Sequence, residues 1–186
     1  GGLGKRLRPL TDNTPKPMLK VGGKPILQTI VERFSKHGFT NITMCLGYKS
    51  NVIQDFFQDG SRFGVNIDYI VEDQRMGTAG ALTLLKKKPH ESFFVMNGDL
   101  LTNVNFEKML DFHESNNSKA TTCVREYEIE VPYGVVSIKD ENICSIKEKP
   151  THSFFVNAGI YLLEPGCIDL IPENEFYDMT SLFEQL

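Results

Sequence analysis

The chain opens on a glycine-rich run, Gly-Gly-Leu-Gly at residues 1–4, with a lysine and an arginine directly after it. Glycine can take positive φ and lets the backbone come close to an anion, so the amides of such a loop can converge on a phosphate. The flanks do not match the commonest phosphate motifs. Arg6 stands where a Walker A loop needs serine or threonine, and Leu7 stands where the dinucleotide fingerprint needs glycine. The glycines alone favour a tight turn and a phosphate site equally.

Positive charge is concentrated in the same part of the chain. Residues 1–25 contain six basic side chains and one acid, so they carry +5 within a net charge of −4, which leaves −9 for the rest. The six cations are Lys5, Arg6, Arg8, Lys16, Lys20 and Lys24. They stand between glycines, prolines and apolar residues rather than in a lysine-rich arm, which favours a small anionic ligand. The acidic remainder also argues against nucleic acid as the partner.

A further chemical feature is the tripeptide Asn97-Gly98-Asp99, which follows the apolar run Ser92–Met96. A carboxylate at the end of a buried strand suits Mg²⁺, because magnesium takes one or two carboxylates together with substrate phosphates. The same tripeptide is also a good turn, and taken alone the turn is the better interpretation. Zinc is not expected, since the four cysteines and four histidines are scattered without paired spacing.

Helical and strand patterns alternate around these residues. Helices are predicted after Pro25, Ser50 and Asn105, the last two as N-caps, and over residues 77–87 and 178–186. Strands are predicted over residues 41–46, 65–71, 92–96 and 120–124. This order predicts an α/β fold with a Rossmann-like, doubly wound, mixed and mostly parallel sheet. Closely spaced strands over 134–138, 143–147 and 154–163 predict a small β-rich lobe.

The predicted sheet also indicates where a ligand binds. Parallel sheets bind ligands at the carboxyl ends of their strands, where four loops are predicted to meet: residues 1–20, 47–50, 72–77 and 97–103.

The composition is typical of a globular protein, with 40% hydrophobic and 24% charged residues among 186. The sequence contains no apolar run of about 18 residues and no visible signal peptide, so no membrane partner is expected. Scattered cysteines are typical of reduced, mostly buried thiols, which predicts a cytoplasmic protein.

The whole run from Gly1 to Leu27 resembles the signature of the sugar-nucleotide pyrophosphorylases, the sugar-1-phosphate nucleotidyltransferases. Further segments follow in the order and spacing of that family: residues 77–82, 97–100, 133–135, 148–150 and 157–160. The resemblance covers essentially the full chain. Lys5 departs from it, because the family often has a small hydroxyl residue there. Details after residue 85 resemble a bacterial surface-sugar branch that carries regulatory domains ahead of the transferase.

The resemblance implies a GT-A-like nucleotidyltransferase fold and a Mg²⁺-dependent reaction. A sugar 1-phosphate would attack the α-phosphorus of a nucleoside triphosphate, giving an NDP-sugar and pyrophosphate. The attacking phosphate is already ionised near neutral pH, so catalysis consists of positioning and charge neutralisation. The implied catalytic residues are Arg6, for the leaving pyrophosphate, and Lys16, for the charge around the α-phosphate. Asp99 is the implied Mg²⁺ ligand.

The resemblance also implies two sets of binding residues. The nucleotide set is Gly1, Gly2, Gly4, Lys5, Glu72 and Gly77. The sugar-phosphate set is Gly134, Glu148, Lys149 and Asn157. A carboxylate at Glu72 can accept from two neighbouring donors of guanine, whereas uracil and thymine offer one, which favours GTP. The sequence leaves the sugar open, and a homo-oligomer is compatible with it.

Two expectations concern the extent and the activity of the chain. A strand should precede Gly1, and the second metal carboxylate of the family should follow Leu186. Residues 1–186 are therefore expected to be a single nucleotidyltransferase domain, truncated at both ends and weakly active or inactive alone. The alternative function is an inactive, ligand-binding regulatory member of the same fold. The enzyme is favoured by retention of five residues together: Arg6, Lys16, Asp99, Glu148 and Lys149.

Overall fold

The computed structural model describes residues 4–186, and for Lys5 it describes the backbone alone. The chain divides into two compact units. We call Gly1–Thr121 with Tyr161–Leu186 the larger unit and Thr122–Ile160 the β-lobe. Among the described residues, no helix combines the length and apolar character that a membrane crossing requires.

Over residues 4–121 and 161–186, the larger unit contains short strands and four α-helices. Its strands are β1 (Lys20–Val21), β2 (Lys24–Pro25), β3 (Asn41–Leu46), β4 (Asn66–Val71) and β5 (Phe93–Met96). Its helices are α1 (Ile26–Lys36), α2 (Ser50–Phe57), α3 (Phe106–Ser115) and α4 (Met179–Gln185). Short 3-10 helices lie at Lys5–Leu7, Lys16–Met18, Ser61–Phe63, Gly80–Leu84 and Pro165–Leu170.

Two long strands run from the larger unit into the β-lobe and back. They are β6 (Ala120–Glu130) and β9 (Thr151–Leu163), and between them lie β7 (Val135–Lys139) and β8 (Asn142–Lys147). The strand β9 lies between β5 and β6 in a three-stranded sheet, while β7 and β8 form an antiparallel hairpin. The predicted β-rich lobe is therefore confirmed.

The parallel pair β3 and β4 brings two of the predicted loops together. Asn41 lies opposite Asn66, and Leu46 lies opposite Val71, so both strands end at one edge. The N–H of Glu72 donates to the carbonyl of Leu46 at 2.8 Å. The loops after β3 and β4 consequently start side by side, as expected for parallel strands.

Two buried clusters hold the larger unit. The first lies under α1, α2, β3 and β4 and consists of Met18, Leu27, Ile30, Val31, Met44, Leu46, Ile53, Phe57, Val65 and Ile67. The second consists of Ala79, Leu82, Tyr161, Leu163, Cys167, Ile171, Met179 and Leu182. Apolar burial is the main stabilising term in such cores. The first cluster anchors the opening segment through Met18, and the second anchors residues 79–82 against α4.

The α/β class is confirmed, and several local predictions need correction. The described strands form four hydrogen-bonded groups, and the pair β3–β4 is parallel. Ser50 does not cap α2, because Lys49 occupies the N-cap position at φ 53° and no side chain caps the helix. The helix predicted over 77–87 is only a 3-10 helix at Gly80–Leu84. The amides of Ala79 and Gly80 bond to the carbonyl of Tyr177 instead of to an α-helix.

The cysteine prediction holds in part. All four thiols are free, and Cys167 is buried, but Cys144 is exposed in β8. Asn105 does cap α3 as predicted, because its side chain accepts from the N–H of Lys108.

Candidate active site

The opening loop is held by a buried threonine. Gly4 has φ +61°, and a Cβ built on it would lie 2.9 Å from Cγ2 of Thr11. The Thr11 hydroxyl donates to the Gly4 carbonyl at 2.9 Å, and Thr11 is only 2% exposed. This position therefore requires glycine for both its conformation and its close packing. Arg6 follows in an exposed 3-10 helix, where its guanidinium is open to a ligand.

Three predicted nucleotide contacts cannot be placed. Gly1 and Gly2 lie outside the described residues, and so does the side chain of Lys5. Their assignment to the triphosphate stays a prediction.

Lys16 and Asp99 are brought together from distant parts of the chain. Lys16 begins a 3-10 helix between two prolines, and the buried Met18 anchors that helix in the first cluster. Asp99 follows β5 by three residues. The Lys16 Nζ lies 2.5 Å from the Asp99 Oδ2. The lysine predicted to bind phosphate and the aspartate predicted to bind the metal are therefore in direct contact.

Packing explains why these two segments meet. A Cβ built on Gly98 would lie 3.5 Å from Cδ1 of Leu27 and 3.7 Å from Cγ of Pro17. The loop after β5 therefore packs on Pro17 and on the start of α1. The side chains of Lys16 and Asp99 keep 40% and 27% of their surface exposed. An ion pair of this exposure adds about 0–1 kcal/mol, so the fold does not depend on it and both groups stay accessible.

The loop after β3 supports the opening loop through Asp12. The Lys49 Nζ donates to the Asp12 carbonyl at 2.6 Å, and the Tyr48 hydroxyl donates to the same oxygen at 3.2 Å. The Arg8 Nε lies 3.3 Å from the Asp12 Oδ1. Sequence reasoning did not assign a role to Tyr48, Lys49 or Thr11, because their partners are backbone oxygens that no side-chain pattern identifies.

The loop after β4 carries the predicted base-binding residues Glu72 and Gly77. The Oε2 of Glu72 accepts from the N–H of Met76 at 3.3 Å, so the carboxylate closes its own loop. Gly77 has φ +79° and is half-buried. Among the described residues, the Gly77 N–H is the one amide of 76–80 without a hydrogen-bond partner. A donor is therefore available beside Glu72 in the loop.

Cys45 lies on β3 near this loop and is not a reactive thiol. Burial, with a smaller contribution from the nearby Glu72 carboxylate, raises the pKa of Cys45 to about 11. The Cys45 thiol therefore stays protonated at neutral pH, and it has no nucleophilic role.

The four predicted sugar-phosphate residues all lie in the β-lobe. A Cβ built on Gly134 would lie 3.1 Å from Oε2 of Glu148, so this glycine permits the Glu148 carboxylate to come close. The Lys149 N–H donates to the Tyr133 carbonyl at 3.2 Å, and Lys149 has φ 42°. The structure thus brings Gly134, Glu148 and Lys149 together at one end of the hairpin.

Asn157 belongs to β9 and is oriented by a local turn. Its Oδ1 accepts from the N–H of Gly159 at 2.7 Å, and the side chain is exposed. This bond fixes the orientation of the Asn157 side-chain amide.

The described residues contain no group of three or more metal-ligating side chains. Asp99 offers a single, partly exposed carboxylate. Such a donor set does not fit zinc or a protein-caged calcium. It does fit Mg²⁺, which takes one or two carboxylates and completes its shell with phosphate oxygens and water.

Comparison with known proteins gives a family match over most of the chain. The family model described as nucleotidyl transferase matches residues 1–183. The mannose-1-phosphate guanyltransferase of Yarrowia lipolytica is 37% identical over 179 residues, which are 92% of this chain and 49% of that protein. The mannose-1-phosphate guanylyltransferase of Mycobacterium tuberculosis is 35% identical over 179 residues, with 93% and 49% covered.

Solved structures show the same fold. The crystal structure of HddC from Yersinia pseudotuberculosis complexed with GMP-PN has a TM-score of 0.69 and 27% identity, covering 96% of this chain and 79% of that one. A putative glucose-1-phosphate thymidylyltransferase from Bacillus anthracis has a TM-score of 0.71 and 27% identity, covering 91% and 70%.

The matches cover nearly all of this chain but a smaller share of its relatives. The chain spans about half the length of the curated relatives that it matches. The family match nevertheless runs over almost every residue of the chain and includes each loop described above. The chain belongs to the nucleotidyl transferase family.

Proposed function

We propose that this chain carries the guanylyl-transfer site of a sugar-1-phosphate guanylyltransferase. It would transfer GMP from GTP to a sugar 1-phosphate and release pyrophosphate, with mannose 1-phosphate as the first substrate to test. The observation that carries the proposal is the 2.5 Å contact between Lys16 and Asp99. The guanylyl and mannose parts are supported by the names of the relatives, several of which are mannose-1-phosphate guanyltransferases.

The larger unit supplies the phosphate chemistry in this proposal. Arg6 binds the β and γ phosphates, because a guanidinium fork matches two oxygens at once and the side chain is exposed. Lys16 neutralises charge around the α-phosphate. The attacking phosphate needs no general base, so a fixed array of cations is the main catalytic requirement.

Asp99 would hold Mg²⁺ in the loop after β5. When bound, the cation supplies charge neutralisation to the phosphates. The Lys16 ammonium already contacts the Asp99 carboxylate. In the proposed site, this carboxylate therefore lies next to both Lys16 and Mg²⁺.

The loop after β4 supplies base recognition. Guanine presents an acceptor, O6, beside its N1–H and N2 donors, whereas adenine presents a donor and an acceptor in the reverse order. The Gly77 N–H, which has no acceptor within the described residues, suits O6, and a carboxylate at Glu72 suits the donors. A donor next to an acceptor in this order favours GTP over ATP.

The β-lobe supplies the sugar contacts. Glu148 can accept from two ring hydroxyls, Lys149 can pair with the sugar phosphate, and the amide of Asn157 can reach a hydroxyl. Gly134 keeps the Glu148 carboxylate unobstructed.

Pyrophosphate release tests the proposal. The assay pairs GTP, ATP, UTP and dTTP with mannose 1-phosphate and glucose 1-phosphate, with and without Mg²⁺, in the full-length protein that contains residues 1–186. We expect release to require Mg²⁺ and to be fastest with GTP, and Asp99→Ala to abolish it. Clear preference for UTP or dTTP would overturn the guanylyl assignment. Tight GTP binding without release from any pair would favour the inactive, regulatory alternative.

A further inference from the structure

The loop after β4, residues 72–80, contacts a segment about a hundred residues further along the sequence. We call this loop the base-binding loop, after its proposed role. We call residues 174–179 the clasp segment. The Gln74 Nε2 donates to the Asn174 carbonyl at 3.1 Å, and the Tyr177 N–H donates to the Met76 carbonyl at 2.9 Å. The amides of Ala79 and Gly80 both donate to the Tyr177 carbonyl at 3.0 Å. The loop and the clasp segment thus form one hydrogen-bonded unit.

Two glycines of the loop are required by this contact. A Cβ built on Gly77 would lie 2.4 Å from the Tyr177 carbonyl oxygen, and one built on Gly80 would lie 2.7 Å from the Glu175 carbonyl oxygen. Cβ atoms do not approach backbone oxygens so closely, so neither position tolerates a side chain. Glycine is therefore required at residues 77 and 80 because the backbone of the clasp segment packs directly against them.

Asp178 is the charged residue of this contact. It stands at the N-cap position of α4, where an aspartate would ordinarily accept from its own helix. Its Oδ1 instead accepts from the Thr78 N–H at 2.9 Å and from the Thr78 hydroxyl at 3.1 Å. The Thr78 Oγ1 in turn accepts from the Met179 N–H at 2.7 Å. Thr78 takes over the capping of α4, which frees Asp178 for the loop.

Within residues 76–80 of this loop, every amide but one has a hydrogen-bond partner among the described residues. Met76, Thr78, Ala79 and Gly80 donate to Glu72, Asp178 and Tyr177, and within the described residues the Gly77 N–H has no acceptor. A flexible loop could satisfy Gly77 by rearranging. A loop fixed on both sides of Gly77 keeps that donor available for a ligand.

We propose that Asp178 is a positioning residue for nucleotide recognition: through Thr78 it holds the Gly77 N–H in place for the base. This inference rests on the proposed nucleotidyl-transfer function, but it names a residue outside the phosphate and sugar contacts. Asp178 contacts Thr78 rather than the base, so it sets nucleotide affinity and base preference without taking part in the phosphate chemistry.

Two pairs of variants test this role. Asp178→Ala removes the acceptor, whereas Asp178→Asn keeps an oxygen in the same place. Thr78→Val removes the hydroxyl at nearly constant volume, whereas Thr78→Ser keeps it. The measurements are KM for GTP, KM for the sugar 1-phosphate, the GTP-to-ATP preference, and hydrogen exchange of the amides at 78–80.

We expect Asp178→Ala to raise KM for GTP by about 10- to 100-fold, as for loss of hydrogen bonds to a charged acceptor. KM for the sugar 1-phosphate should stay within about twofold, and the GTP-to-ATP preference should fall. Asp178→Asn and Thr78→Ser, which keep the oxygen and the hydroxyl, should retain most of the GTP affinity of the unmodified protein. Thr78→Val should shift the same constants in the same direction, which keeps the proposal testable if Asp178→Ala does not fold.

Several outcomes would overturn the proposal. Unchanged KM for GTP in both Asp178→Ala and Thr78→Val would do so, as would equal increases for both substrates. Failure of the proposed function is a different result, visible in the unmodified protein. If that protein uses another nucleotide, or binds GTP without releasing pyrophosphate, the same variants are compared by their Kd for the nucleotide bound. An unchanged Kd would then overturn the positioning role.

Discussion

The larger unit and the β-lobe hold their predicted site residues in different ways. In the larger unit, two site loops pack against residues distant in the sequence: Gly98, beside Asp99, packs on Leu27 and Pro17, and Gly77 packs on Tyr177. In the β-lobe, Glu148 and Lys149 are placed by neighbours in one hairpin. The larger unit has two buried clusters, whereas only Gly159 and Ile160 are buried among residues 122–160. Long-range packing thus fixes the proposed nucleotide contacts, and local backbone geometry fixes the proposed sugar contacts.

The largest expected effect compares the same substitution in the two units. Phe57 is 1% exposed and lies in the first cluster, with its ring centroid 4.9 Å from that of Phe56, whereas Phe155 in the β-lobe is 77% exposed. Phe57→Ala should lower the free energy of unfolding by about 3–5 kcal/mol through lost burial and a cavity. Phe155→Ala should change it by less than about 0.5 kcal/mol. Urea unfolding of both variants measures the difference, and a large loss in Phe155→Ala would mean that another surface covers the β-lobe.

The second prediction compares two lysines proposed to bind phosphate. Lys16→Ala should lower kcat by about 10²- to 10³-fold, because a fixed charge next to the reacting phosphate acts mainly in the transition state. Lys149→Ala should act mainly by raising KM for the sugar 1-phosphate. Steady-state pyrophosphate release separates the two constants, and Lys20→Ala, an exposed lysine of β1, is the control. A KM effect alone in Lys16→Ala would contradict its assignment to the transition state.

The same contrast explains what the sequence could predict. The helix α1 and the strand β3 match their predicted positions, because apolar spacing is a local signal. The meeting of Lys16 and Asp99 followed from placing both in loops at the carboxyl ends of strands, and the resemblance named them. The helix over 77–87 was wrong because its amides bond to Tyr177, a hundred residues further on. No local pattern indicates such a partner, and for the same reason no role was predicted for Asp178 or Thr11.

The third prediction compares two serine–glutamate hydrogen bonds. Ser92 and the buried His113 both bond to Glu164, at 2.5 Å and 3.0 Å, and these bonds lower the pKa of Glu164 below its ordinary value of 4.5. In the β-lobe, Ser153 donates to the exposed Glu128 at 3.3 Å. Since Glu164 has a lower pKa in the folded chain, its contribution to stability is present above about pH 5 and is lost as pH falls through the folded pKa.

Ser92→Ala should therefore lower the free energy of unfolding by about 1.5 kcal/mol at pH 7, the lower end for a bond to a charged group because the Glu164 side chain is 44% exposed. The deficit should shrink as the pH falls through the lowered pKa of Glu164, where the folded chain takes up the proton. Ser153→Ala should show a deficit below about 0.5 kcal/mol at every pH. Thermal unfolding between pH 3 and 7 tests both, and a deficit in Ser92→Ala that is independent of pH would contradict the role of Glu164.

The smallest expected effect compares the contribution of helix capping with that of core packing to the stability of the larger unit. Asn105 and Ser50 precede or begin helices, but only Asn105 caps one, with its Oδ1 accepting from the Lys108 N–H at 3.0 Å. Asn105→Ala should therefore lower the free energy of unfolding by about 1 kcal/mol, and Ser50→Ala by less than about 0.5 kcal/mol. Chemical unfolding of the two variants measures this difference. A loss in Asn105→Ala well below that of Phe57→Ala would show that the buried clusters contribute more to the stability of the larger unit than this helix cap does. Equal losses in Asn105→Ala and Phe57→Ala would reverse that conclusion.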